Sequence, residues 1–181
     1  MTFPSFASGE VLRAADMNAV GLWLVKSQAV GTGVSSVPVT GAFSADYDNY
    51  RIVYSGGTAS ANGELLLTLG ATVTGYFNTV LYGAWSATPT SLAAGTGSSS
   101  SFAFAGVADP DGAFMDLSVM NPFLARRTAI YGGFVGLDSD RVGGYTSGFV
   151  SNTTSYTGFT ITPSGGATLT GGTVRVYGIR N

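Results

Sequence analysis

The segment Thr173-Val-Arg-Val-Tyr-Gly-Ile-Arg180 alternates apolar and polar side chains along most of its length. Val174 and Val176 lie on one side of an extended backbone, and Arg175 and Tyr177 lie on the other. Alternation of this kind, in β-branched and aromatic residues, predicts a strand with one face in a hydrophobic core. The segment therefore predicts β structure for the part of the chain around it.

The same pattern extends back along the chain to about residue 34. Leu65, Leu67 and Leu69 alternate in the same way, and clusters of Gly, Asp, Asn and Pro separate the apolar runs. From this spacing we expect roughly eight to ten short strands in an all-β sandwich or barrel. The Gly/Ser-rich stretch 93–101 interrupts the pattern, so we expect a surface loop there.

A different periodicity occupies residues 10–26. Leu12, Ala15, Ala19 and Leu22 recur at the spacing of one helical face, and a second apolar stripe adjoins them. The pattern predicts a short helix that is apolar over a wide arc. Such a helix is not stable alone in water, so it needs burial against its own domain, against copies of itself or in a partner.

The change in pattern divides the chain into two parts. We expect residues 1–33 to form a docking segment with this helix and residues 34–181 to form the β-sandwich domain. A length of 181 residues suits one domain of ordinary size.

The composition excludes several classes of function. The chain has no cysteine and no histidine, so it can form no disulfide, Cys/His zinc site, thiol nucleophile or histidine-based catalytic centre. Eight basic residues against ten acidic ones do not make the basic surface that nucleic-acid binding needs. No signal peptide and no apolar run of about 20 residues is visible, so we expect synthesis in a cytoplasm and no membrane insertion.

The low charge also bears on assembly. Only 10% of the residues are charged, and the polar positions of the strands are mostly Ser, Thr, Gly and Ala. Such a surface costs little to desolvate, which favours packing against copies of itself or in a larger assembly. The alternative is a Ser/Thr-rich surface that merely suits an extracellular setting.

Carboxylates are the most obvious candidates for catalytic groups, and they occur as three close pairs. The pairs are Asp46/Asp48, Asp109/Asp111 and Asp138/Asp140. Most lie beside Pro, Gly, Ser or Asn, where aspartate commonly bonds to its own turn. We therefore expect no catalytic residue, no cofactor and no metal site, although loop oxygens such as these can bind calcium.

Four aromatic residues near Gly/Ser/Thr-rich segments are candidates for contact with a glycan. They are Tyr82, Trp85, Tyr145 and Tyr156. An exposed aromatic ring beside small polar groups can stack on a sugar ring. The alternative is that these residues form half-buried cross-strand pairs, as aromatic residues often do in sheets.

Both ends of the chain resemble structural proteins of tailed bacteriophages. The block Phe6-Ala-Ser-Gly-Glu-Val-Leu-Arg-Ala-Ala-Asp-Met-Asn-Ala-Val20 is similar to their common N-terminal Gly-x-Val-Leu-Thr-Ala-Ala-Asp-Met/Leu-Asn block. Segments 48–54 and 171–181 resemble the first and last core strands of small fibre and appendage domains. Arg13 departs from the usual threonine, which places the start of the helix in doubt because arginine cannot cap a helix N-terminus.

The resemblance implies a non-enzymatic virion protein with a jelly-roll-like β-sandwich, assembled as a homotrimer. It implies that the large apolar residues of an N-terminal segment form either the surface that attaches to other virion proteins or the core of the trimer. These residues are Phe3, Phe6, Leu12, Met17 and Trp23. The alternative is that they cap one end of the sandwich.

Three functions follow from these observations. A tail fibre or minor tail protein that contacts a host-surface glycan is the first expectation, and a capsid-borne head fibre or decoration protein is the second. A monomeric carbohydrate-binding module is the alternative from another class.

Overall fold

A computed structural model of the chain describes residues 21–85, 91–137 and 141–179. These residues form twelve strands and one 3₁₀ turn, with no α-helix among them. The strands are β1 (Leu22–Ala29), β2 (Val37–Val39), β3 (Asn49–Ala59), β4 (Gly63–Leu69), β5 (Tyr76–Ala84), β6 (Ser91–Ser99), β7 (Phe102–Ala108), β8 (Ala113–Met120), β9 (Ala129–Leu137), β10 (Arg141–Val150), β11 (Phe159–Pro163) and β12 (Leu169–Ile179). The all-β prediction is confirmed.

The strands form an antiparallel sandwich of two layers. Sheet A has the order β1-β12-β3-β8-β9-β10-β5-β6, and sheet B has the order β2-β11-β4-β7. The two layers join at β8, because residues 113–114 pair with β7 while residues 115–120 pair with β3 in sheet A. Strand β8 therefore passes from one layer to the other between residues 114 and 115.

The main hydrophobic core lies between the layers, where alternate residues of each strand point inward. In β12 these residues are Val174 and Val176, as the alternation in the sequence predicts. In β4 they are Leu65, Leu67 and Leu69, which are fully buried.

Two tyrosine hydroxyls inside this core form hydrogen bonds with backbone groups. Tyr54 donates to the carbonyl of Gly171 at 3.0 Å, and Tyr76 accepts from the N–H of Leu69 at 2.8 Å while donating to the carbonyl of Thr72. Because each buried hydroxyl has a partner, these large rings contribute hydrophobic burial without an unpaired polar group.

A second, smaller core lies where β5, β9 and β10 pass over β7. Val80, Val107, Phe134 and Val142 are buried there, and Phe104 packs against them. Phe104 has a φ of 50°, in the left-handed region that non-glycine residues rarely adopt. This conformation accompanies the irregular register between β4 and β7.

The helix predicted over residues 10–26 is wrong for its C-terminal part. Leu22–Ala29 forms strand β1, which pairs with β12 in sheet A and includes a bulge between Leu24 and Lys26. The free edge of β12 offers backbone hydrogen bonds to this segment, and tertiary pairing of this kind overrides a weak local helical preference. Residues 1–20 lie outside the described part of the chain, and the division at residue 33 stays a prediction.

The loop predicted over residues 93–101 is also corrected. Ser91–Ser99 forms strand β6, which pairs with β5 at the edge of sheet A. Glycine and serine have low strand propensity, but backbone pairing with a long neighbour does not need apolar side chains.

Candidate functional site

The outer face of sheet A, turned away from sheet B, carries most of the large exposed apolar side chains. Every large exposed hydrophobic residue in the described ranges except Val73 lies on this face or on its β1 edge. Seven of them line one open depression of about 1400 Å³. Leu22 lies at its β1 edge, and we call the other six the aromatic face. Its residues are Leu81, Trp85, Phe114, Tyr131, Val135 and Tyr145.

Cross-strand register explains how these residues come together. Asp116 of β8 is opposite Gly133 of β9, Gly133 is opposite Tyr145 of β10, and Tyr145 is opposite Leu81 of β5. In antiparallel sheets, directly opposed residues point to the same side. The register therefore places one row of outward side chains across four strands, with a glycine in its middle.

Glycines form the floor of the depression, and aromatic rings lie beside them. A β-carbon at Gly143 would come within 3.1 Å of the Trp85 indole, and one at Gly133 would lie 3.7 Å from the Tyr145 ring. Both rings remain accessible, since Trp85 is 64% exposed and Tyr145 is 72% exposed. The missing side chains thus let the two rings lie close to the backbone of the sheet.

One ion pair supplies the charge on this surface. The guanidinium of Arg51 binds the carboxylate of Asp116 through two contacts, with Nε donating to Oδ1 at 2.6 Å. These hydrogen bonds hold the pKa of Asp116 below its usual range. No other charged residue lines the depression within the described part of the chain, so the surface is close to neutral.

The four glycan-contact candidates do not share one surface. Trp85 and Tyr145 lie together on the aromatic face. The ring of Tyr82 instead stacks on Phe104 at a centroid distance of 5.6 Å, beside the second core. Tyr156 is buried, and its hydroxyl forms hydrogen bonds with the side chains of Thr72 and Asn152. Its ring is therefore not accessible to a ligand.

Among the docking candidates, Trp23 alone falls in the described residues. It lies on β1 opposite Gly178, and its indole Nε1 is buried with no hydrogen-bond partner in the described part of the protein. Phe3, Phe6, Leu12 and Met17 lie outside the described residues.

Two aspartates of the sequence-identified pairs, Asp109 and Asp46, form hydrogen bonds within their own turns. Oδ1 of Asp109 accepts hydrogen bonds from the backbone N–H groups of Asp111 at 2.7 Å and Gly112 at 2.9 Å. Asp46 bonds to the hydroxyl of Ser44 in its own turn. Asp138 and Asp140 lie outside the described residues, and within those residues no cluster of three potential metal-ligating side chains occurs.

The sequence analysis did not identify Leu81, Phe114, Tyr131 or Val135 as site residues. The sequence of β9 nevertheless contains a pattern that indicates two of them, Tyr131 and Val135. Ile130 and Phe134 point into the cores, while Tyr131 and Val135 point outward. A strand that is apolar at both parities is typical of a sheet covered on both faces. Applied to residues 129–137, that rule would have predicted a second covered surface.

The described residues include no helix with the length and apolarity to cross a lipid bilayer. Comparison of the chain with protein-family models, with curated proteins and with solved structures finds no match.

Proposed function

We propose that this chain is a non-enzymatic structural protein of a phage virion, assembled as a homotrimeric appendage. The first choice within that proposal is a fibre or minor tail protein associated with the tail. Support comes from the two segments that resemble core strands of fibre domains. Residues 48–54 lie largely in β3 and the C-terminal segment lies largely in β12, and these strands pair in register over most of their length.

The finer features of the fold belong to the same proposal. We take the sandwich to be of the jelly-roll type and the residues before β1 to be the docking segment for other virion proteins. Phe3, Phe6, Leu12 and Met17 are the side chains that this role would use.

The main observation in support of the proposal is the aromatic face, which lies on a protein with few charged residues. A monomer in solution rarely leaves so many large apolar side chains exposed in one patch, because burying them is favourable. In a protein that functions inside an assembly, such a surface can be buried against a neighbouring subunit.

Locating the protein in purified particles tests the virion assignment. Mass spectrometry of particles purified by density gradient should detect the chain, and gold-labelled antibodies should bind at the tail. Label on the capsid would instead favour a head fibre or decoration protein. Absence of the chain from particles would contradict a virion role of either kind.

A carbohydrate-binding module is the second candidate, and one observation favours it. Trp85 and Tyr145 present accessible rings in one neutral depression, as a platform for stacking on an uncharged sugar would. Native gels cast with soluble neutral polysaccharides test this candidate. Retardation of the wild type, lost in Tyr145→Ala and in Trp85→Ala, would support a glycan contact at this face.

A further inference from the structure

The outer face of sheet A has no cover within the described part of the chain. Sheet B packs only against the inner side of sheet A, where the main core lies. Strand β9 is apolar on both sides, because Tyr131 and Val135 point outward while its inward residues are buried. A strand of this kind is typical of a sheet that is covered on both faces. The pattern therefore predicts a second covering element.

The area of the aromatic face indicates how large that element must be. The exposed fractions of its six side chains correspond to roughly 700 Å², given the ordinary areas of such residues. The largest apolar patch on a typical monomer is about 300–600 Å². Since one aromatic side chain buries about 150–250 Å², about four large apolar side chains are enough to cover the face.

The chain enters the described structure at the rim of this face. Leu22 begins β1 and lines the edge of the depression. Gly21, just before it, lies in a bend and has a φ of 103°. Glycine with a positive φ is typical of tight turns, so the chain need not approach β1 along the line of the strand. Residues 1–20 are therefore attached directly beside the uncovered surface.

We propose that residues 1–20 pack across the outer face of sheet A of their own chain, with Phe3 and Phe6 against the aromatic face. The inference concerns the free chain and does not depend on the virion assignment. Within the proposed function, binding of this segment to another virion protein would release the aromatic face to a neighbouring subunit.

The length of the segment is sufficient for this path. Three strand spacings separate β1 from β8, which is a distance of about 14 Å. Residues 10–20, for which the sequence predicts a helix, would span about 16 Å. Residues 1–9 can extend about 30 Å further. Phe3 and Phe6 therefore reach strands β8, β9 and β10, on which most of the aromatic face lies.

The composition of the segment suits a neutral apolar surface. Its large apolar residues include Phe3, Phe6, Leu12 and Met17. This is about the number of side chains that the area of the face needs. Only three side chains of the segment are charged, and they are Glu10, Arg13 and Asp16. Because the single ion pair leaves the face neutral as well, contact between the two removes few charges from water.

Covalent attachment favours this segment over a separate partner. A tethered segment meets its binding surface at an effective concentration of about the millimolar range, whereas a second copy is as dilute as the protein itself. A sugar is disfavoured for another reason. Leu81 and Val135 expose aliphatic side chains, which offer no hydrogen bond to sugar hydroxyls.

An introduced pair of cysteines tests the proposed contact, since the chain has no cysteine of its own. A disulfide requires that the two Cα atoms approach within about 7 Å. Under mild oxidation, Ser5→Cys/Leu81→Cys should form a disulfide within one chain, which keeps its 18.4 kDa mass on a gel without reductant. Trypsin should then release residues 1–13 joined to residues 52–126.

Ser5→Cys/Val73→Cys is the matched control for the cysteine pair. Val73 is 67% exposed and lies outside the face, but it belongs to the same tryptic peptide as Leu81. This variant should not form the disulfide within one chain. Equal yields from the two pairs would contradict a specific contact with the aromatic face.

Tryptophan fluorescence gives a second readout that needs no disulfide. Trp85 should be shielded from acrylamide in the wild type, and Phe3→Ser/Phe6→Ser should expose it and raise the quenching. Because Trp23 is the other tryptophan, adding Trp85→Phe should remove this rise. Thr2→Ala/Ser5→Ala, which changes polar neighbours in the same segment, should leave the quenching unchanged. Circular dichroism verifies that each variant retains its β structure.

The outcomes separate this inference from the proposed function. A disulfide that forms only between chains would overturn the inference and assign the segment to a neighbouring copy. Equal quenching of the wild type and of Phe3→Ser/Phe6→Ser would overturn it too. Neither result bears on whether the chain is found in particles. Absence of the chain from particles would contradict the virion role, and a disulfide within one chain would still support the inferred packing.

Discussion

At the residue scale, the buried tyrosines show how polar groups are accommodated in the core. Each hydroxyl of Tyr54 and Tyr76 meets a backbone group, while the rings are removed from water. Burial raises the pKa of Tyr76 to about 12 from its ordinary value of 10.0, and burial raises the pKa of Tyr54 as well. Both groups are therefore held in the neutral, protonated form.

This shift predicts loss of stability at alkaline pH. Between pH 10 and about 12 the Tyr76 phenol ionises in the unfolded chain but not in the folded one. The contribution to stability is fully present below pH 10 and is lost as pH rises through the folded pKa. The loss should be on the order of 2 kcal/mol, measured by urea unfolding at a series of pH values.

Tyr76→Phe is the control for this prediction. It should lower the free energy of unfolding at neutral pH by about 1–3 kcal/mol, because the N–H of Leu69 loses its acceptor. It should also reduce the loss of unfolding free energy between pH 10 and 12. An unchanged decline in Tyr76→Phe would assign the alkaline effect to other groups.

The left-handed backbone at Phe104 gives a second prediction at this scale. At an ordinary strand position glycine is less stable than alanine by about 0.5–1 kcal/mol. At Phe104, with φ of 50°, alanine retains the backbone strain and glycine does not. Phe104→Gly should therefore be at least as stable as Phe104→Ala, measured by thermal and urea unfolding.

Phe102 provides the comparison for that pair. It is fully buried in the same strand and is not among the residues with positive φ. Phe102→Gly should be less stable than Phe102→Ala by the ordinary margin. The same order at both positions would contradict the conformation described for Phe104.

At the scale of strands, a buried polar network attaches β5 and β10 to β7. The amide of Asn78 donates to the carbonyl of Ala103 at 3.1 Å and to the hydroxyl of Thr146 at 3.2 Å. Thr146 donates to the same carbonyl. Since both side chains are buried, their hydrogen bonds are shielded from water and specify how these strands pack on the layer below.

Removing this network should destabilise the protein strongly. Asn78→Ala leaves the partly buried N–H of Ala103 without the side-chain acceptor that it uses. We expect a loss of about 1–3 kcal/mol in the free energy of unfolding, measured with urea. Thr79→Ala, at the exposed neighbouring position, should change stability by less than about 0.5 kcal/mol. Equal effects of the two substitutions would contradict a structural role for the network.

Strands β1 and β6 show where sequence patterns fail at this scale. Leu22 and Leu24 belong to helical stripes in the sequence, but they lie on an edge strand. The Gly/Ser-rich residues of β6 lack any strand pattern, yet they pair with β5. In both cases the decisive interaction is backbone hydrogen bonding to the edge of another strand. For β1 that strand is β12, which is distant in sequence, and for β6 it is the long strand β5. A local window of sequence does not contain that information.

At the scale of the whole molecule, low charge and an apolar face predict how assembly responds to salt. If association buries the aromatic face, it is driven by hydrophobic burial and not by attraction between charges. The mass from light scattering should then stay constant between 0.05 and 0.5 M NaCl, as conditions set for the experiment. Dissociation at the higher salt concentration would indicate that charged contacts hold the copies together.

The candidate site was predictable only in part. Trp85 and Tyr145 were identified because they lie near Gly/Ser/Thr-rich segments, while Tyr82 and Tyr156 have the same local context but pack inward. Alternation tells which residues share a face of one strand, but where both faces are apolar, as in β9, it does not tell which face meets the core. Leu81, Phe114, Tyr131 and Val135 join the site through register between strands, and Leu81 does so through the pairing of β5 with β10, which are far apart in sequence.

The sequence by itself determined that the protein is all-β, that it lacks the groups for thiol or histidine chemistry and for a Cys/His zinc site, and that Val174, Val176 and the leucines of β4 face a core. These properties depend on composition and on the two-residue repeat of a strand, both of which are local. Only the tertiary structure decided that residues 22–29 form a strand and that six apolar side chains share one neutral face. Pairing order and register bring those residues together, and both depend on contacts between segments distant in the chain.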